Sequence, residues 1–208
     1  MSNRKPTFFT SDWHVGHANS IKFDNRPFRD LEHMHKSLIK NYNAIVPEHG
    51  ICYFLGDFGM MGSKEIKEFL SKLNGTKVLI LGNHDKKTNS MYNSGFDVVL
   101  YEATLYIAGE RVTMTHCPLR GLFREDISNM KGAAEGDLWH GESRQIQFSI
   151  DKHDGYHLSG HIHSPNRGRS KKIEGKQYDV GVVANSYRPV SLGQLESWIN
   201  KHKMKEQK

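Results

Sequence analysis

No run of about 18 apolar residues occurs in the 208-residue chain, so no segment reads as a membrane-crossing helix. Cysteine is scarce. Two residues, Cys52 and Cys117, cannot make a disulfide framework, which points to a reducing, cytoplasmic compartment. The apolar stretch near the N-terminus meets polar residues again at Thr10 and is too short for a secretory signal. Internal repeats, low-complexity blocks and Pro/Gly/Ser linkers are missing too, so one domain over residues 1–208 is expected. With 37% hydrophobic and 25% charged residues, the chain can bury a substantial core and is not of the disordered class. Basic residues exceed acidic ones by 29 to 23, a surplus that suits either surface solvation or an anionic substrate. Histidine is the residue in excess, with thirteen copies.

The pattern opens as strand, helix, strand, helix, strand and then turns strand-rich. Phe8 to Ser11 reads as a first strand ending at Asp12. Leu31, Met34, Leu38, Tyr42 and Ile45 recur at helical spacing between an Asp30 cap and Pro47. Ile51 to Leu55 is a buried-type strand. Ser63 is placed to cap a second helix carrying Ile66, Phe69, Leu70 and Leu73, with Gly75 past its end. Val78 to Leu81, Val98 to Tyr101, Leu105 to Ala108, Arg111 to Thr115 and Tyr156 to Ser159 read as further strands, and Lys176 to Val183 as extended. Ser191 to Gln194 is a capping-box signature for a last helix, followed by a basic, frayed tail at 201–208. Two sheets packed face to face with helices outside are the expected α/β arrangement.

Five polar motifs each follow an apolar strand: Asp12-Trp13-His14, Gly56-Asp57, Gly82-Asn83-His84-Asp85, Thr115-His116-Cys117 and Gly160-His161-Ile162-His163. Ligand sites in α/β sheets lie beyond the carboxyl ends of strands. Asp12 and His14 are two residues apart, as are His161 and His163, so each pair faces one way on an extended chain and can grip one ion or two neighbouring ones. Carboxylate, imidazole and amide donors without a thiolate pair suit manganese, iron, nickel or zinc. Asp12, Asp57, Asn83, His14, His116, His161 and His163 are too many for one tetrahedral ion, with His84 still to spare. They suit two divalent transition-metal ions bridged by Asp57. Such a pair clamps a phosphoryl group and activates water at neutral pH.

In this order the motifs resemble the calcineurin-like metallophosphoesterase superfamily, over residues 12 to 163. The resemblance implies a four-layer αββα sandwich of α/β (α+β) class, with two mixed sheets and a dinuclear centre at the sheet edge. Carried over by position, Asp12, His14, Asp57 and His163 would hold the first ion, manganese foremost. Asp57, Asn83, His116 and His161 would hold the second. His84 matches the family histidine that protonates the leaving oxygen or steadies phosphoryl charge, and Asp85 would orient it. The longer string Ser11 to Asn19, followed by Asn25-Arg26-Pro27-Phe28, resembles a narrower group of small bacterial and phage phosphoesterases. That makes His17 and Arg26 candidate substrate residues. The bland alternatives are a turn histidine and a surface ion pair.

The departures also inform. Gly56-Asp57 runs on as Phe58-Gly59-Met60, without the Asp-Arg-Gly of protein phosphatases and dinucleoside-polyphosphate hydrolases, and Asp85 stands where those have Glu. Hydrolysis of a phosphodiester, with nucleotides or nucleic acid among the candidates and no membrane partner, is the favoured expectation. A small-metabolite phosphomonoesterase comes second, and a non-catalytic scaffold like the retromer subunit of this fold third. Residues 118–154 read as a lid or a surface excursion. Arg167, Arg169, Lys171 and Lys172 read as a solvated hairpin tip, and both cysteines as packing thiols.

Overall fold

Apolar runs covered on both faces become the parallel strands of a first sheet. The computed structural model describes residues 5–85, 88–119, 155–164 and 175–206. Strands β1 (Thr7–Thr10), β2 (Ile51–Leu55), β3 (Thr76–Ile80) and β4 (Val98–Leu100) are parallel, and β9 (Val190–Ser191) adds antiparallel to β1, giving the order β4-β3-β2-β1-β9. The second sheet has β5 (Ala103–Ile107), β6 (Glu110–Met114), β7 (Tyr156–Ser159) and β8 (Gln177–Asp179) in that order, with only β5–β6 antiparallel. Both sheets are therefore mixed, as expected.

The period-two alternation of strands splits the core. Phe9, Leu55 and Ile80 face the second sheet and meet Val112, Met114, Tyr156 and Leu158. Their neighbours Phe8, Phe54 and Leu79 face the helical layer and meet Met34, Leu38, Tyr42, Ile66 and Phe69. That layer is helix α2 (Leu31–Asn43), capped by the Asp30 carboxylate on the His33 N–H at 2.7 Å, and α3 (Ser63–Leu70). The architecture is the α/β sandwich that the motifs implied.

Several local expectations change. Gly62, not Ser63, is the cap residue of α3, because the Ser63 hydroxyl pairs with that of Ser90 at 2.9 Å. The expected extended run from Lys176 to Val183 narrows to β8, because the chain then turns, with Asn185 N–H donating to Gly181 O (3.2 Å) and Tyr187 N–H to Val182 O (2.7 Å). The last helix opens with the expected Ser191–Gln194 box, but it continues through the presumed tail to Glu206. Ion pairs Lys203–Glu110 at 2.7 Å and Lys176–Glu206 at 3.1 Å tie those turns to the body. Short helices α1 (Asn19–Phe23) and α4 (Thr88–Tyr92) and strand β9 were not legible; the last helix is α5 (Leu192–Glu206). The segment from residue 120 to 154 and the basic run Arg167 to Lys172 lie outside the described residues. Among the described residues no helix is long and apolar enough to cross a membrane.

Candidate metal centre

The loops leaving β1, β2, β3, β6 and β7 meet at one rim, and all seven expected donors converge there. Their backbones are bent to do so. Asp12, His14, Asp57, His161 and His163 all have left-handed φ, of 59°, 50°, 52°, 71° and 43°. That conformation costs a non-glycine residue about 1–2 kcal/mol and persists only where its surroundings impose it. Here the loops after β1 and β2 zip together beyond the sheet. Asp12 N–H donates to Gly56 O (3.1 Å), His14 N–H to Asp57 O (3.0 Å) and Val15 N–H to Phe58 O (2.9 Å). Two glycines permit the close approach. A Cβ on Gly56 would overlap the His116 ring, and one on Gly160 would overlap Ser11 and the Asp12 carboxylate.

Trp13 stakes this loop into the helical core. Its ring packs on Tyr42, Phe54, Phe58 and Phe69, and its Nε1–H donates to Thr10 Oγ1 at 2.8 Å. Trp13→Ala should therefore cost about 3–5 kcal/mol. Thermal denaturation should show a drop on the order of 10 °C, and an unchanged midpoint would contradict the staking role.

The donors form two groups that share Asp57. In the first, His14 Nε2 lies 3.0 Å from His163 Nε2 and 3.8 Å from Asp57 Oδ2, and His163 Nε2 lies 3.4 Å from Asp12 Oδ1. In the second, His116 Nε2 lies 3.3 Å from Asp57 Oδ2, 2.8 Å from Asn83 Oδ1 and 3.3 Å from His161 Nδ1, which is 3.1 Å from Asn83 Oδ1. Ligands at about 2.0–2.2 Å from one ion sit roughly 3–3.6 Å from each other, so these spacings suit coordination. The ring tautomers agree. His116 Nδ1 is 2.7 Å from Leu55 O and His163 Nδ1 is 2.9 Å from Asp24 Oδ1, so Nδ1–H donates outward and each Nε2 faces the donors.

The electrostatics show the same demand for positive charge. Burial opposes ionisation of Asp12, yet its bond to His163 prevails and its pKa falls to about 2. Burial likewise opposes charge on His163, but Asp12 and then Asp24 raise it to about 10. Asp57 is held well below the usual carboxylate range, against its burial, by His116, whose own pKa is raised by Asp57. Burial alone dominates at His14, which drops to about 3, and burial together with His116 lowers His161 to about 4. Without a cation the site takes up protons at His116 and His163. Divalent ions would displace them, and the donor set fits that exchange. Cys117 Sγ lies near His116 and His161, and burial raises its thiol pKa.

The remaining candidates separate. His84 is exposed and its ring centroid is 5.7 Å from that of His14, while its N–H donates to Asp57 Oδ1 at 2.9 Å. The His17 ring is likewise near that of His14, 5.8 Å between centroids. Asp85 does not orient His84 as expected. Its carboxylate accepts the backbone N–H groups of Asp57 (2.9 Å), Phe58 (3.0 Å) and Gly82 (2.8 Å), bracing the two loops together. Burial, then the charge of Asp57, raises its pKa to about 7.

Arg26 is neither a substrate arginine nor a surface ion pair. Its side chain has 0% exposure. Nε and Nη2 donate to Asp24 Oδ2 at 2.9 and 2.7 Å, Nη1 to Trp13 O at 3.0 Å and Nη2 to Asp12 O at 3.1 Å. Asp24 escaped the sequence reading, and its one available signal was its place directly before Asn25-Arg26-Pro27-Phe28.

The model of the family described as calcineurin-like phosphoesterase matches residues 5–184. The chain is 33% identical over 208 residues to an uncharacterised protein of Methanocaldococcus jannaschii, covering 98% of this chain and 96% of that one. It is 28% identical over 205 residues to the gene 66 protein of Mycobacterium phage L5, covering 96% and 95%. A protein of unknown function from Aquifex aeolicus, solved as a crystal structure, matches with a TM-score of 0.63 at 23% identity, over 95% of this chain and 99% of that one, a likeness of fold. The family match takes in every one of the gathered donors, and on that ground this chain belongs to the calcineurin-like phosphoesterases.

Proposed function

We propose that this metal-dependent phosphoesterase hydrolyses phosphodiesters with two divalent ions. Asp12, His14, Asp57 and His163 would hold one, and Asp57, Asn83, His116 and His161 the other. The observation that carries the reading is the pair of donor groups sharing Asp57 Oδ2. Divalent ions there supply an activated water and offset phosphoryl charge. Manganese is the first candidate, with iron, nickel and zinc behind it.

The chain's own residues do the rest. His84, exposed beside the donors and outside both groups, gives its proton to the leaving oxygen. His17, like His84, packs near the His14 ring. Burial, then the charge of His84, lowers its pKa, so its neutral ring is suited to a hydrogen bond with a phosphoryl oxygen. The diester preference rests on charge. Arg26 is turned inward, and Gly56-Asp57 runs on without an Asp-Arg-Gly, so neither position offers the guanidinium clamp that suits the dianion of a monoester. The basic surplus of six charges favours anionic esters such as nucleotides or nucleic acid, in a cytoplasmic setting.

The test is a screen on metal-stripped protein with Mn, Ni, Zn and Mg, each against bis-p-nitrophenyl phosphate, p-nitrophenyl phosphate and 2′,3′-cyclic nucleotides. Turnover of the bis-ester should exceed that of the mono-ester with the best metal. A strong reversed preference would establish the monoesterase instead. Absence of hydrolysis with every ion would point to the scaffold.

A further inference from the structure

The Asp24–Arg26 turn reaches the centre from a direction that neither the metal ligands nor His84 explain. Its residues come from the end of α1, yet they grip both ends of the motif series. Arg26 spends its guanidinium on the carbonyls of Asp12 and Trp13 and on Asp24 Oδ2. The other oxygen of Asp24 accepts the Nδ1–H of His163, 139 residues further along the chain. The turn is itself pinned, with Arg26 N–H donating to Ile21 O at 2.8 Å and Asn25 at φ 49°. A carboxylate fixed by two guanidinium bonds has little freedom left, and the imidazole it accepts from inherits that rigidity.

The two donor groups differ in this respect. His163 leans on a carboxylate, whereas the outward bond of His116 goes to a neutral carbonyl, Leu55 O. The first group also holds Asp12 besides the shared Asp57, while the second holds the neutral amide of Asn83. Charge on the ligands and a carboxylate behind a ligating imidazole both strengthen cation binding.

We propose that Asp24 and Arg26 are positioning residues that make the Asp12–His14–His163 group the tighter of the two ion sites. Asp24 fixes the His163 tautomer and adds anionic character through the ring. Arg26 acts through Asp24, and through the two carbonyls it holds in the left-handed turn around Trp13. The inference rests on the two-ion reading above.

Calorimetric titration of Mn²⁺ into the metal-free protein tests it. The wild type should bind in two steps. Asp24→Asn, which keeps the size of the side chain, should weaken the tighter step roughly 10- to 100-fold and leave the weaker one in place. His116→Ala should do the reverse, losing the weaker step and keeping the tighter one. An Asp24→Asn isotherm that superimposes on the wild type, or one that loses only the weaker step, would overturn the proposal while leaving two ions intact. A single wild-type step of two ions per chain would overturn the ranking of sites, whereas saturation at one ion per chain would remove the two-ion reading itself. The tautomer is read on the unaltered protein, whatever the folding of the variants. Two-bond ¹H–¹⁵N spectra of the Zn²⁺-loaded chain should show His163 protonated at Nδ1, and protonation at Nε2 would overturn the assignment.

Discussion

Replacing Asp57 by asparagine should abolish most of the thermal stabilisation that divalent ions confer on this protein. An ion present at a hundred times its dissociation constant stabilises the folded state by about 2.7 kcal/mol, which is roughly 5–10 °C for a chain of this size. Asp57 Oδ2 stands 3.8 Å from His14 Nε2 and 3.3 Å from His116 Nε2, so its charge serves both donor groups. The amide keeps the shape of the side chain, and its Oδ1 can still accept the His84 N–H. Removing the shared charge should therefore weaken both ions at once without dismantling the loops. Melting curves with and without Mn²⁺ measure the effect. An Asp57→Asn protein that retains the full metal-dependent shift would rule out the bridge.

The second large effect belongs to His84. Loss of a general acid costs about 10²–10⁴ in rate, so His84→Ala should lower turnover by that order while both ions stay bound. His116→Ala should differ in kind, weakening metal binding because its Nε2 is among the converging donors. The His84→Ala loss should shrink for p-nitrophenolate, a leaving group that scarcely needs a proton. An equal loss across good and poor leaving groups would reassign the ring to stabilising charge on the phosphoryl oxygens. A lost ion in this variant would place His84 among the ligands instead.

The strand-end motifs were legible because each couples a local rule to a residue type. An apolar run makes a strand, and a glycine or a bend lets a polar side chain leave its end. Five such motifs in one order named all seven gathered donors. Their division around Asp57 followed from the resemblance. Failure came where a side chain's partner is distant in sequence. Asp85 lies beside His84 in the chain, so an orienting role was the natural expectation, yet its oxygens face the N–H groups of Asp57 and Phe58, 28 and 27 residues away. Arg26 became a candidate substrate residue through the resemblance of its Arg-Pro-Phe string, and nothing local tells that its guanidinium is enclosed.

Sequence by itself determined the chemistry of the gathered side chains: their oxygen and nitrogen atoms, their order, and the strands that carry them. It determined this because residue identity and period-two alternation are local properties of the chain. Only the tertiary structure decided which oxygen faces which nitrogen, and which polar residues hold others in place. The Asp24–His163 bond spans 139 residues, and the left-handed bends at Asp12, His14, Asp57, His161 and His163 are conformations uncommon for any residue but glycine. Packing and long-range hydrogen bonds impose both, and those forces exist only once the two sheets have come together.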